Sequence, residues 1–383
     1  MKILHIFHDL LETGGTPFQV RSLVQAQADL GNDVLAVSYK GDSERISSNV
    51  QSVQLGNGLR SVLQFRKVLQ SFKPHIIHLS GIWIPVHHVW LKEVFRFGAP
   101  CIISTNGNLS PHGFGVRFGG KRTHFYHIWR KELWHKYFDA PMLRAVACVH
   151  TPSKYEAEIL AELGVTKRFV APVGINASWI KSQPCDGRKL NDPVTFLHLG
   201  RLDIFHKGLD LVCDAVEVLM RSPNPKPFRV IMAGPSVNDS MEKLKKRVAG
   251  IGSEIFDFRD YVSGEEKKML WTEADYFLNV YRYAGIALAP CEALGNGIPL
   301  IASLEGNLGD WTQRMNMGIT VPLSGTHLAD GMATVLEYSE DMYQRLSENA
   351  MKFCLSYSWE KVAQDLVDEY KRIIDDYSCG VMP

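Results

Sequence analysis

The sequence lacks the patterns that mark extracellular and membrane-spanning proteins. Its seven cysteines are an odd number, lie far apart and include no C-x-x-C pair, so we expect neither a disulfide framework nor a zinc site. No apolar run reaches the roughly 18 residues that are needed to span a bilayer. The opening segment, MKILHIFHDL, has a strand-like pattern and no signal-peptide architecture. We therefore expect a cytoplasmic protein in a reducing compartment.

An excess of charge of either sign is also absent. The chain has 42 Lys and Arg residues against 41 Asp and Glu residues, a formal net charge of +1. Such a balance provides no global field that would attract nucleic acid, and we expect no nucleic-acid partner. No D-x-D motif occurs on a loop at the end of a predicted strand, so we also expect no metal. An anionic ligand would have to be bound by local groups.

The length and the alternation of patterns predict two domains. The chain has 383 residues, of which 45% are hydrophobic, enough for two cores. Short β-like runs alternate with helical stretches in both halves, which is typical of parallel sheets covered by helices. The turn-rich stretch KSQPCDGRKLNDP has the composition of a linker. We predict a Rossmann-like domain over 1–180, a linker over 181–193, a second Rossmann-like domain over 194–360 and a C-terminal helix over 361–383.

The candidate strands define the fold class. In the first half they are KILHIF, VLAVSY, HIIHLS, CIIST, VACVHT and RFVAPV, and in the second half VTFLHLG, FRVIMAG, EIFDF, ADYFLNVY, PLIAS and ITVP. This pattern predicts an α/β protein with two doubly wound domains that face each other across a cleft. In such sheets, ligands bind outside the carboxyl ends of the strands.

Two cations follow the first strand of the second half. The segment GRLDIFHKG places Arg201 and Lys207 on a loop just beyond that strand, six positions apart. A diphosphate leaving group needs fixed positive charge and backbone N–H groups where its negative charge grows. The two side chains can converge on one diphosphate, although the spacing alone is equally compatible with solvated surface charges.

A glycine loop and a carboxylate follow a later strand. In YRYAGIALAPCEALGNGIPLIA, Gly285 precedes a helical turn that carries Glu292. A glycine there lets backbone amides approach a ligand, and the start of a helix favours an anion. A carboxylate in a nucleotide site typically accepts from ribose hydroxyls. The alternative is an ordinary strand–loop–helix–strand unit with Glu292 on an exposed face.

Several segments together resemble one enzyme family. GRLDIFHKGLDL matches the pattern G-R-L-x-x-x-K-G-L-D-x-L, and the stretch from RDYVSGEEKKML to GIPLIAS matches a characteristic C-terminal signature. ETGGTPFQVRSL resembles a glycine-glycine donor loop, and HIIHLSGIWIP, ISTNGNLSPH and HTPSKYEAEIL resemble further motifs in the same order. The family is that of the retaining glycosyltransferases of family 4, which have the GT-B architecture. The resemblance covers nearly the whole chain.

The resemblance implies transfer of a sugar from a nucleotide diphosphate sugar to a hydroxyl of a glycan or lipid-linked acceptor, with retention of configuration and without a metal or other cofactor. The N-terminal domain would bind the acceptor, and the C-terminal helix would cross back onto it. Arg201 and Lys207 carry over as the catalytic pair that neutralises the diphosphate, and Glu292 as the carboxylate on the ribose. The other implied donor-binding positions are Gly14, Gly15, Gly285, Ile286, Ala287 and Leu288.

Other polar and aromatic positions have more open roles. Asn106, Asn108 and His112 are candidates for binding the acceptor or the sugar. The segment 117–137 mixes basic residues with aromatics and can contact the inner face of the cytoplasmic membrane peripherally. A solvated helix with its aromatic side packed inward is the alternative. Four histidines in or near predicted strands are expected to be core residues: His5, His8, His78 and His198.

One position departs from the family signature of a Glu, seven residues and a second Glu. The second is Glu292, whereas the first position is Ala284, and Ile286 and Ala287 stand where Phe and Gly are usual. Because the first Glu contacts the donor sugar in the family, we expect an active enzyme with a shifted donor preference. A nucleotide-sugar epimerase of the same architecture and a non-catalytic nucleotide-binding relative are the alternatives. A nicotinamide dehydrogenase is disfavoured because ETGGTPF lacks G-x-G-x-x-G.

Overall fold

The chain divides into two compact units. A computed structural model describes residues 1–9, 15–40, 49–56, 58–109, 125–176, 180, 189–223, 225–282, 287–306 and 308–380. Met1–Gly174 and Tyr357–Pro383 together form the first unit, and Ile175–Ser356 forms the second. The boundary falls shortly before the predicted linker, most of which lies outside the described residues. The C-terminal segment belongs to the first unit and begins slightly earlier than the predicted 361.

In its described part, the first unit contains a sheet of seven parallel strands in the order β3-β2-β1-β4-β5-β6-β7. The strands are β1 (Lys2–Asp9), β2 (Asp33–Lys40), β3 (Gln51–Gln54), β4 (Ile76–Ser80), β5 (Cys101–Ser104), β6 (Cys148–Thr151) and β7 (Arg168–Val170). Every residue of β4 is buried, because helices cover both faces of the sheet, and this explains its nearly continuous apolar run. The sequence did not predict β3.

Helices cover both faces of this first sheet. They are α1 (Gly15–Asp29), α2 (Leu59–Phe72), α3 (Pro85–Phe97), α4 (Phe125–Trp134), a π-helical turn (His135–Asp139), α5 (Ala140–Ala145), α6 (Lys154–Glu162) and the last helix of the chain, α14 (Trp359–Ser378). Alternate residues of β1 face opposite cores. Ile3 and Phe7 pack with α1 and α14, whereas Leu4 and Ile6 pack with α2 and α3.

The second unit has a sheet of six parallel strands, among its described residues, in the order β10-β9-β8-β11-β12-β13. The strands are β8 (Val194–Leu199), β9 (Phe228–Ala233), β10 (Phe256–Arg259), β11 (Tyr276–Asn279), β12 (Leu300–Ser303) and β13 (Gly318–Val321). The chain reverses its direction of progress across the sheet between β8 and β11. In doubly wound sheets, such a reversal leaves a crevice at the carboxyl ends of the two strands, where ligands bind.

The helices of the second unit follow its strands in turn. They are α7 (Leu209–Met220), α8 (Ser240–Val248), a 3₁₀ turn (Ser253–Ile255), α9 (Gly264–Glu273), α10 (Leu288–Gly295), α11 (Gly309–Arg314), α12 (Gly325–Leu336) and α13 (Glu340–Ser356). The apolar stripe of α7, which includes Val212, Val216 and Leu219, is buried in the core of this unit. Throughout the described residues, no helix is both long and apolar enough to cross a membrane.

A buried hydrogen-bond network fastens α14 to the first sheet. The hydroxyl of Tyr370 accepts a hydrogen bond from Nε2 of Gln27 at 3.3 Å and forms a second hydrogen bond with Nδ1 of His78. Gln27 Oε1 lies 2.7 Å from Nε2 of His5. Helices α1 and α14 are therefore joined to β1 and β4 by polar contacts as well as by apolar packing, which makes the position of α14 specific.

The network continues across the sheet from His78 to His150, which are linked through Ser104. Nε2 of His78 forms a hydrogen bond with the hydroxyl of Ser104. The same hydroxyl forms a hydrogen bond of 2.6 Å with Nδ1 of His150. Burial lowers the pKa of His5 and of His150 to about 4 and that of His78 well below its usual value. These imidazoles are neutral core residues, as the sequence predicted for His5 and His78; the predicted His8 is only half-buried.

Acidification from pH 7 to pH 4.5 is expected to lower the free energy of unfolding. The folded-state pKa of His5 and of His150 is about 4, below the 6.5 of the unfolded chain, so the unfolded state takes up protons that the folded state excludes. Their contribution is complete above about pH 6.5 and is lost as the pH falls toward 4. Each such histidine contributes a slope of about 1.4 kcal/mol per pH unit within this window.

Urea unfolding of His150→Asn tests this expectation across the same pH range. The variant should show a pH slope that is smaller by about one proton, whatever its absolute stability. Equal slopes for His150→Asn and the wild type would contradict the assignment.

Candidate active site

Two loops meet at the carboxyl edge of the second sheet. β8 and β11 are neighbours in this sheet, with Phe196 paired to Tyr276 and Leu197 to Phe277. One loop connects β8 to α7, and the other leaves β11 toward α10. Because the two strands are parallel, both loops emerge at the same edge of the sheet. The predicted diphosphate-binding and ribose-binding residues lie on or directly after these loops.

A close backbone contact shapes the loop after β8. Gly208 has a φ of +66°, and a Cβ at this position would lie 2.2 Å from the carbonyl oxygen of Val280, so that only glycine fits. Within the loop, Asp203 accepts hydrogen bonds from the backbone N–H groups of His206 and Lys207, at 3.0 Å on its carboxylate and 2.9 Å on its carbonyl. This compact turn brings Lys207 over the end of β11.

The two predicted cations lie close to each other. The ammonium of Lys207 is 3.8 Å from the ring centroid of Tyr281. Burial, and then the positive charge of Arg201, lowers the pKa of Lys207 to about 8, and Asp203 opposes this effect. Arg201 itself is exposed. Two cations on one loop, of which one is half-buried, form a local site of positive potential, suited to an anion such as a diphosphate.

Glu292 lies on α10 and is buried rather than exposed, so the alternative of an exposed helix face is wrong. Burial raises the pKa of Glu292, whereas the hydrogen bond and charge of Lys267 counteract this shift. Lys267 lies on α9 and forms an ion pair with the Glu292 carboxylate. Sequence reasoning missed Lys267, since nothing in the run GEEKK distinguishes the lysine that turns toward α10 from its neighbour.

The remaining predicted donor-binding residues are only partly described. Ala287 is the N-cap of α10 and Leu288 is its first residue, and no side chain caps this helix. The first backbone N–H groups of a helix have no partner within it. Gly15 is the first residue of α1 in the first unit. Four positions lie outside the described residues: Gly14, Ala284, Gly285 and Ile286.

The predicted acceptor-binding residues belong to the first unit. Asn106 follows β5 with a left-handed backbone, φ +54°, and is half-buried. The side-chain amide of Asn108 donates to the carbonyl of Thr105 at 3.0 Å and so stabilises its own loop. His112 lies outside the described residues.

A buried carboxylate that was not predicted organises this loop. Glu156 accepts hydrogen bonds from the hydroxyls of Thr105 and Thr151, at 2.6 and 2.9 Å. It also accepts from the backbone N–H groups of Gly107 and Leu109, at 3.1 and 2.8 Å. All four donors converge on one side chain, and the loop after β5 is therefore fixed from α6. The only sequence signal was its place in the segment HTPSKYEAEIL.

Comparison with known protein families identifies the class. Residues 14–174 match the family model for the glycosyl transferase 4-like domain, and residues 193–338 match that for glycosyl transferases group 1. The two matches together span most of the chain, one in each half. The protein belongs to the group 1 glycosyltransferases: it is an enzyme that transfers a sugar, and its two Rossmann-like units form the GT-B fold. The predicted family and fold class are confirmed.

Individual relatives are similar over most of their length. The GDP-mannose:cellobiosyl-diphosphopolyprenol alpha-mannosyltransferase of Xanthomonas oryzae pv. oryzae is 22% identical over 301 residues, 77% of this chain and 73% of that protein. Sucrose-phosphate synthase from Thermosynechococcus elongatus superposes with a TM-score of 0.74 at 17% identity, covering 98% of this chain and 99% of that one. Anabaena HepE in complex with UDP gives a TM-score of 0.71 at 17% identity, covering 97% and 100%.

Lys267→Met is expected to weaken nucleotide binding at the acid end of the pH range. Burial already raises the pKa of Glu292, and loss of the Lys267 ammonium removes the interaction that opposes this rise. In its predicted role on the ribose, Glu292 would accept hydrogen bonds from the hydroxyls less well once it is protonated. Calorimetric titration with UDP and with GDP between pH 5 and 8 gives the affinity at each pH. The pH below which the affinity falls should be higher in the variant than in the wild type, by about one pH unit.

The neighbouring lysine provides the control for this titration. Lys268 pairs with Glu265 within its own helix, so Lys268→Met should bind nucleotide as the wild type does at every pH. If the Lys267→Met profile coincided with that of Lys268→Met, the ion pair would have no part in nucleotide binding.

Proposed function

We propose that the protein transfers a hexose from a nucleoside diphosphate sugar to a hydroxyl of a glycan or lipid-linked acceptor. In this proposal the anomeric configuration is retained and neither a metal nor another cofactor is needed. The observation that carries it is the placement of Arg201 and Lys207 on one short loop at the carboxyl edge of β8 and β11, where Gly208 packs against Val280. Two fixed cations at this edge suit the diphosphate of such a donor and can replace a metal ion.

The proposed chemistry follows the growth of negative charge on the leaving group. As the bond between the anomeric carbon and the diphosphate oxygen breaks, Arg201 and Lys207 neutralise the departing nucleoside diphosphate. The acceptor hydroxyl attacks from the face on which the diphosphate leaves, and its proton passes to a phosphate oxygen. Glu292 accepts hydrogen bonds from the ribose hydroxyls, while the N-terminal amides of α10, at Ala287 and Leu288, face the donor.

The relatives support this range of donors and acceptors. HepE has been solved with UDP and with UDP-glucose, whereas the Xanthomonas relative is named for GDP-mannose. The name of that relative also specifies an acceptor of the cellobiosyl-diphosphopolyprenol type. A nucleoside diphosphate hexose and a lipid-linked oligosaccharide are therefore the first substrates to test. Because Ala284 stands at the position of the usual first Glu, we expect a donor preference that differs from that of the family.

Replacement of Lys207 tests the proposed role directly. Thermal shift with UDP-glucose, GDP-mannose and ADP-glucose first identifies the base, because a ligand of the native state raises the melting temperature. With that donor and a cellobiosyl-diphosphopolyprenol acceptor, Lys207→Ala should lower kcat/KM by roughly ten- to a hundredfold. The exposed Lys246 provides a matched control, and Lys246→Ala should be fully active.

Further measurements on the same enzyme bear on the proposal. Proton NMR of the product gives the anomeric configuration, and unchanged turnover in EDTA is expected for a metal-independent enzyme. Near wild-type turnover of Lys207→Ala would remove the proposed role of that side chain. Donor conversion without an acceptor would favour an epimerase, and nucleotide binding without turnover would favour a non-catalytic protein.

We further propose that the region 117–137 contacts an anionic membrane at its periphery. In the described part of this region, Trp129 and Tyr137 are 50% and 62% exposed, and Phe138, just beyond it, is 48% exposed. These aromatic side chains do not all pack inward, which favours the membrane alternative over a simple solvated helix. Lys136, itself exposed, lies with its ammonium 5.6 Å from the Tyr137 ring. Exposed aromatics beside basic groups are typical of interfacial binding.

Vesicle flotation tests the membrane proposal. The protein should float with phosphatidylglycerol vesicles at low salt and should dissociate as salt screens the basic groups. Trp129→Ser combined with Tyr137→Ser should lower binding severalfold, whereas Tyr261→Ser, at a 70% exposed position of the second unit, should not. An absence of flotation at low salt would exclude the proposal.

A further inference from the structure

An aromatic ring lies directly beneath the ammonium of Lys207. The distance of 3.8 Å between Nζ and the centroid of Tyr281 is well within the range of a cation–π contact. Tyr281 is 2% exposed and Lys207 is half-buried, so that the ring face under the ammonium is largely covered. A cation–π contact is stronger where its partners are withdrawn from water.

The Tyr281 ring is itself held by two neighbouring strands. Its edge contacts the ring of His198 on β8, with 5.9 Å between centroids and an interplanar angle of 75°. The backbone carbonyl of Tyr281 accepts a hydrogen bond from the hydroxyl of Ser303, the last residue of β12, at 3.1 Å. The ring therefore belongs to the rigid edge of the sheet rather than to a mobile loop.

The next residue fastens the Lys207 loop to the same edge. Arg282 forms two hydrogen bonds of 2.7 Å with the carboxylate of Asp210, in the first turn of α7. Its guanidinium also donates a hydrogen bond to the backbone carbonyl of Phe205 at 2.7 Å, and its backbone N–H donates to the backbone carbonyl of His206 at 3.1 Å. Its guanidinium lies 4.4 Å from the Phe205 ring centroid. Rotation of the loop away from Tyr281 would break all of these contacts.

A half-buried lysine beside an arginine is held in an unfavourable position. Withdrawal from water and the nearby charge of Arg201 both favour the neutral amine, which would be useless for binding a diphosphate. Within the described part of the chain, the Asp203 carboxylate is the charge that works in the opposite direction on Lys207. The electron-rich face of an aromatic ring supplies a second attraction that favours the ammonium over the amine.

We propose that Tyr281 is a positioning residue that keeps Lys207 charged and directed at the donor diphosphate, with Arg282 fixing the loop against the ring. The proposal rests on the proposed function for its catalytic meaning. The contact between the ring and the ammonium is nevertheless a property of the resting protein. It can be measured without any substrate, and its failure can be told apart from failure of the proposed activity.

The sharpest test changes the charge distribution of the ring but not its shape. Tyr281→Phe keeps the ring face and serves as the reference, and 3,4,5-trifluorophenylalanine at position 281 cancels most of the negative potential of that face. The pH dependence of acetylation of Lys207 by acetic anhydride, read by peptide mass spectrometry, reports its protonation. We expect the labelling midpoint to fall by about one pH unit between the phenylalanine and the trifluorinated protein.

The same pair of proteins provides a readout of catalysis. If Lys207 binds the diphosphate as the ammonium, the pH above which kcat/KM falls should be lower in the trifluorinated protein, by the same amount as the labelling midpoint. Equal midpoints for the two proteins would overturn the positioning role. A shifted midpoint in a protein that binds no nucleotide sugar would support the contact and refute the proposed function. Both proteins should melt at closely similar temperatures, because ring volume and burial are almost unchanged.

Discussion

The pairing of β8 with β11 is the constraint on which the candidate site depends. These strands are far apart in the sequence, and their parallel pairing places the ends of both at one edge of the sheet. Gly208 can then pack against the carbonyl of Val280, and Lys207 can reach Tyr281. Without this pairing, the loop after β8 would have no partner, and its cations would be ordinary surface charges.

Buried and half-buried polar groups serve two different purposes in this protein. In the first unit, burial keeps the imidazoles of His5, His78 and His150 neutral, and hydrogen bonds satisfy them within a structural network. In the second unit, Lys207 is partly withdrawn from water beside another cation. A neutral hydrogen-bonded network stabilises the fold, whereas a cation that the protein compensates only in part favours the binding of an anionic ligand. This contrast separates structural from functional burial.

Much of the fold could be predicted from the sequence because local patterns carried it. Buried parallel strands such as β4 are rich in apolar residues, and amphipathic helices alternate with most of them. The short polar strand β3, QSVQ, has no such pattern and depends on its pairing with β2. Arg201 and Lys207 could be predicted because one short motif holds both. Glu156 and Lys267 could not, because their roles arise from contacts with distant segments.

The membership of α14 in the first unit makes that unit discontinuous in sequence. Its sheet face around Ile3 and Phe7 is completed by residues that the ribosome adds after the whole second unit, such as Leu366 and Tyr370. The second unit, by contrast, is encoded by one uninterrupted segment, Ile175–Ser356. During synthesis the second unit can therefore reach its native state before the first unit. Until α14 is added, the first unit exposes an apolar face of the kind that chaperones bind. Shortening the chain at its C-terminal end would accordingly damage the amino-terminal half.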